Sequence, residues 1–126
     1  MQIIKLIQAK QVLTPLFQEK ISARLSYKLM KFVSQLEVEE NFYNNKMTEI
    51  INTYCERDSN GNLVPIDNGF KIRDDCISDC NNAISELEKI DVDTPGITFT
   101  VSEFDEIKLS INDMRVLSYF ITEETL

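Results

Sequence analysis

Histidine is absent from this chain. That removes the Ser-His-Asp and Cys-His relays and the commonest metal ligand in one stroke. Glycine and proline number only three each, so there is no Gly-rich linker, Pro-rich spacer or low-complexity tract to separate two modules. A chain of 126 residues with 43% apolar content is therefore expected to form one domain, 1–126. No Walker loop, G-x-G-x-x-G or H-E-x-x-H occurs, and the residue inventory offers no set of nucleophile, base and orienter. The expectation is a protein that is not an enzyme and carries no cofactor.

Long apolar runs are missing as well. No stretch approaches the ~20 apolar residues that span a bilayer, and Met1-Gln2-Ile3-Ile4-Lys5-Leu6-Ile7 lacks the apolar core of a secretory signal. A location in the cytoplasm, away from the membrane, is expected. Three cysteines without a signal fit that reading, because an odd count is a poor disulfide framework. Cys76 and Cys80 stand one helical turn apart, and with only Cys55 besides they leave a four-ligand zinc site short of soft ligands. The Asp58-x-Asn60-x-Asn62 spacing invites a calcium loop and fails it. Gly61 precedes the third ligand instead of following it, and Gly69 stands where a closing glutamate belongs.

Charge is plentiful and unevenly placed. The net charge is −8. Residues 1–36 carry Lys5, Lys10, Lys20, Arg24, Lys28 and Lys31 against Glu19 alone, a net of +5, which leaves −13 for residues 37–126. An acidic whole disfavours nonspecific duplex binding, which needs several cations on phosphates. The polarity instead favours self-assembly or docking on a basic partner. The acidic neighbours Asp74 and Asp75, and Glu103 with Asp105 and Glu106, read as solvated helix starts and turns, because carboxylates at helix N-termini need no function.

Along the chain, Gln2–Ile7 reads as a short strand. Ala9, Val12, Leu13, Leu16 and Phe17 then follow helical spacing, broken at Thr14-Pro15 with Thr14 as a cap. From Ser22, the residues Leu25, Leu29, Phe32, Leu36, Tyr43, Met47, Ile50 and Tyr54 keep a 4-3-4 rhythm with no Gly or Pro until Gly61. One long helix over about 22–56 is predicted, about 50 Å at ~1.5 Å per residue. That exceeds the width of a compact domain of this size, so part of the stripe must meet a helix folding back or a second subunit. These eight residues are the interface candidates.

Asn60-Gly61 marks a tight turn, with short extended pieces at 62–66 and 69–72. A second helix over about 74–90, through Ile77, Cys80, Ile84, Leu87 and Ile90, is the natural antiparallel partner of the first. Ile97–Val101 alternates like a half-buried strand. Ser110 with Asp113 has capping-box spacing ahead of a terminal helix whose apolar face is Met114, Leu117, Phe120 and Ile121. The fold class is α+β, mainly helical.

The order of Ser26-Tyr27-Lys28-Leu29 within a long helix, then Tyr54-Cys55-Glu56-Arg57-Asp58-Ser59-Asn60-Gly61-Asn62, then Ile107-Lys108-Leu109-Ser110 leading to Leu117-Ser118-Tyr119-Phe120-Ile121, resembles a family of small uncharacterised proteins of tailed bacteriophages and prophages. The family brings no reaction with it. The resemblance implies a place in the host bacterial cytoplasm or the virion, and a homo-oligomer, other phage proteins or a host protein as partners. Three functions follow: an oligomeric structural or assembly accessory protein with the long helix as interface, an inhibitor or adaptor that binds a host defence or regulatory protein through its acidic surface, and a nucleic-acid-binding protein. The first is the leading expectation.

Overall fold

The computed structural model describes residues 1–122 and shows a mainly helical α+β protein organised around one long helix. Helix α1 spans Ile3–Leu13 and runs into a 3-10 turn, Thr14–Gln18. The expected strand at Gln2–Ile7 is thus helical, and only Gln2 keeps a strand-like pairing, an isolated bridge to Asp91. A short apolar run suits a strand or a buried helix equally. The choice falls to helix because Ile3, Leu6, Ile7, Ala9 and Leu13 then turn one buried face to the interior. Pro15 sits in the first turn of the 3-10 segment, as its missing N–H permits. Thr14 closes α1 as its C-cap instead of opening the next element: its backbone N–H and, at 2.7 Å, its hydroxyl both donate to the Lys10 carbonyl.

Helix α2 covers Ala23–Tyr54, 32 residues and about 48 Å long. Ser22 caps it, its hydroxyl oxygen accepting from the Leu25 N–H at 3.2 Å. The far end is closed by a different device. Cys55 turns extended, and Arg73 returns to donate its backbone N–H to Tyr54 O at 2.9 Å and its guanidinium to Thr53 O at 2.8 Å. Two of the carbonyls that a helix end leaves orphaned are satisfied by one residue.

Beyond α2, the Asp58 carboxylate accepts from the N–H groups of Asn60 and Asn62 at 2.9 and 3.0 Å. Gly61 takes φ +80 at the turn. The would-be calcium ligands therefore form a self-contained Asx turn. Strands β1 (Pro65–Ile66) and β2 (Gly69–Phe70) make a two-residue antiparallel hairpin. A 3-10 turn at Asp74–Cys76 leads to α3, Ile77–Glu88. This helix runs antiparallel to α2: Arg73 at its start joins Tyr54, while Ile90 and Asp91 beyond its end share a cleft with Glu39 and Phe42.

Only Phe99–Thr100 of the expected strand at Ile97–Val101 is paired. It forms β3, parallel to β4 at Ile121–Thr122. The strand stops because Thr100 and Glu103 form a capping box that starts a 3-10 turn over Val101–Phe104. Helix α4, Ile111–Leu117, begins at the Ser110–Asp113 capping box and tightens into a 3-10 turn over Ser118–Phe120. The apolar face expected to run on to Ile121 as helix thus ends one residue earlier, with Ile121 in β4.

The main core lies against the first half of α2. Leu25, Leu29, Phe32 and Leu36 meet Leu6, Ala9 and Leu13 of α1, Leu16, Phe99, Phe104, Leu117 and Phe120. Phe32 is fully buried at its centre, edge-on to Phe99 and Phe120 with ring centroids 5.5 and 5.0 Å apart.

Candidate interaction surface

The eight interface candidates divide between two environments. Leu25, Leu29, Phe32 and Leu36 are covered by their own chain and present no surface to a partner. Tyr43, Met47, Ile50 and Tyr54 are half-buried along the half of α2 that α3 overlies. The length of α2 is thus accommodated by two successive partners within the chain, the α1–α4 core first and α3 second. Burial, followed by the nearby Glu88 charge, raises the Tyr43 phenol above its ordinary range, which keeps it neutral.

Within what α2 turns to solvent, one line of residues stands apart from the charged ones. Tyr27, Met30, Ser34, Val38, Asn41, Asn45, Thr48 and Asn52 follow one another at steps of three and four and are all exposed. The line carries no charge, because Arg24, Lys28, Lys31, Glu37, Glu39, Glu40, Lys46 and Glu49 all stand off it. Its first half is apolar, with Tyr27, Met30 and Val38 exposed by 57%, 56% and 74%. Beside Met30 a shallow groove of about 370 Å³ opens between the turn after α1 and α2, lined by Phe17, Ile21, Met30 and Val33 with Glu19 and Glu37 at its margins. The apolar stripe that stands out in the sequence is the one that folding covers. The outward line was legible only as a run of uncharged residues at helical spacing.

The basic residues of the first third are largely engaged. Lys10 pairs with Glu40 of α2. Lys28 Nζ donates to Glu103 Oε1 at 2.8 Å and to Thr98 O at 2.9 Å, and also lies over the Phe99 ring. Lys31 lies over the Tyr27 ring. Burial alone would raise the Glu103 carboxyl. Hydrogen bonds from Lys28, the Thr100 N–H and the Thr100 hydroxyl, together with the Lys28 charge, outweigh it and hold the group below its ordinary range. These contacts fasten the 98–104 segment to α2. They also engage the Lys28 ammonium that faces the open cleft of Tyr27, Lys28, Lys31 and Gln35.

The three thiols collect where α2 ends and α3 begins. Cys55 and Cys80 are buried and Cys76 is partly exposed, all unpaired. Among the described residues no group of His, Cys, Asp or Glu is arranged to hold a metal ion, and no helix is long and apolar enough to cross a membrane. The chain matches no family model, no curated protein and no solved structure.

Proposed function

We propose that this is a non-enzymatic, phage-encoded interaction protein that self-associates through the outward face of α2 and serves as a structural or assembly accessory. The uncharged line from Tyr27 to Asn52 is the observation that carries the reading. A solvated helix face in a chain with 27% charged residues has no need to keep Lys and Glu off one line of eight outward positions while placing them on either side of it. A face that meets another helix does, because a desolvated unpaired charge is costly. The 3-4 spacing is also that of a helix-to-helix seam.

Solution mass by light scattering at two protein concentrations, beside a pull-down from a bacterial lysate, tests this. A concentration-independent oligomer with no captured host protein supports self-association. A monomer that captures one basic host protein overturns it in favour of the inhibitor or adaptor reading, for which the −13 charge of residues 37–126 supplies the attraction.

A further inference from the structure

Tyr119 is held outward by its neighbours. Leu117 before it and Phe120 after it are each 1% exposed, so the 3-10 turn that follows α4 is seated in the core while the Tyr119 ring stands 55% exposed. Lys5 Nζ of α1 lies over that ring, 5.3 Å from its centroid. Arg115, four residues earlier, is exposed, and neither cation joins an ion pair among the described residues. An aromatic knob with two free cations thus projects from a chain whose net charge is −8. The groove beside Met30 is its counterpart. Phe17, Ile21, Met30 and Val33 make an apolar lining, and the carboxylates at the margins, Glu19 and Glu37, are exposed and equally without an ion pair among the described residues. Glu40, Glu56 and Glu103, by contrast, each hold a lysine of their own chain. Tyr119 does not line the groove of its own chain, so only another molecule can bring it there. Two copies of so acidic a chain repel at long range, and contact between them is most favourable where a basic patch of one meets an acidic margin of the other.

We propose that the groove between α2 and the turn after α1 receives Tyr119 of a second copy, with that copy's Lys5 and Arg115 set against Glu19 and Glu37. The ring covers the apolar lining, and Ser34 on the α2 wall offers the phenol a hydrogen-bond partner. A stiff aromatic side chain with two torsions loses little entropy on docking, and the flanking charges fix its direction. Knob and groove are different patches, so every copy presents one of each. The contact rests on the self-association reading only in taking a second copy as partner. It does not require α2 to pair with α2.

Two variants of the full chain separate the patches. Tyr119→Ser removes the knob and keeps the groove, while Phe17→Ser with Glu37→Gln does the reverse; all three positions are exposed, so circular dichroism should match the parent. Sedimentation velocity of a labelled variant against an unlabelled one gives the affinity of three pairings: each variant with itself, and the two together. A seam along α2 is common to all three and cancels. The mixed pairing should be at least roughly tenfold tighter than either like pairing, and adding Arg115→Glu to the variant that keeps the knob should erase that difference. Equal affinity in the three pairings would overturn the proposal and leave the groove to a partner other than a second copy. So would a difference that survives Arg115→Glu, because charge would then not select the occupant. Failure of the α2 seam alone reads differently: the like pairings do not associate and the mixed pairing does.

Discussion

At the scale of single residues, the molecule depends most on Phe32. It is the one α2 side chain in edge-on contact with aromatic rings from both β3 and the turn after α4. Deleting the ring would leave a cavity among segments that have no short-range reason to stay together. Phe32→Ala should cost about 3–5 kcal/mol, read as a shift of the urea midpoint with an unchanged slope. A loss under 1 kcal/mol would mean that Phe99 and Phe120 close over the gap. Glu103 supports a pH prediction. Its folded pKa lies below the ordinary value of 4.5, so the stability it contributes is complete above that value and is lost as pH falls through the folded pKa. Glu103→Gln should therefore flatten the acid limb of stability against pH below about 4.5 relative to the parent and leave the neutral-to-alkaline slope alone. Parallel acid limbs in the two proteins would show that the Lys28 and Thr100 contacts to this carboxylate together contribute nothing. The sequence marked Phe32 as apolar and helical. It could not show Phe99, Phe104 and Phe120 as partners, since contacts between distant segments leave no local pattern.

At the scale of elements, α2 was the most legible part of the chain because everything local agreed: a 3.6-residue rhythm, a serine cap, and no Gly or Pro until Gly61. The N-terminal segment was the least legible, since four apolar residues among six satisfy either period and α4 and α2 decide between them by offering a surface for Leu6, Ala9 and Leu13 to cover. The candidate site shows the same limit in another form. Apolar spacing located the stripe Leu25–Leu36 but not what covers it, and cover by the chain itself moves the candidate surface to the opposite side of the helix. The two sides give a clean test. Leu36→Asp puts a charge where the side chain is 2% exposed and should abolish cooperative unfolding, because a buried unpaired charge costs several kcal/mol. Met30→Asp with Val38→Asp falls on the exposed line. The proposed self-association should drop to monomer on light scattering while the melting temperature of the monomer stays within about 2 °C, as surface changes usually do. If the double variant keeps the parent's oligomeric mass, α2 does not provide the interface.

At the scale of the whole molecule, the charge polarity gives the proposed association a direction. Arg24 and Lys31 flank the first half of the outward line, and Glu49, which is paired with Lys46 of its own helix at 3.3 Å, flanks the second. A parallel pair of α2 helices would set like against like. An antiparallel pair brings the basic half of one copy to the acidic half of the other, and a two-fold axis makes each such contact twice. Each exposed pair is worth roughly 0.5 kcal/mol and a like-charge pair costs about as much, so Lys31→Glu alone and Glu49→Lys alone, each turning two symmetric attractions into repulsions, should weaken association about thirtyfold. The charge-swapped double variant should recover the parent's affinity by sedimentation equilibrium. Raising ionic strength from about 0.1 to 1 M shortens the screening length from ~10 to ~3 Å and should remove the difference between single variants and parent without dissociating the parent, since Tyr27, Met30 and Val38 supply apolar contact that salt does not screen. Recovery in the double variant cannot arise from a parallel seam or from a groove that holds an unrelated partner. Failure to recover, with both single variants weakened, would place the two charges at separate contacts and rule out the antiparallel arrangement.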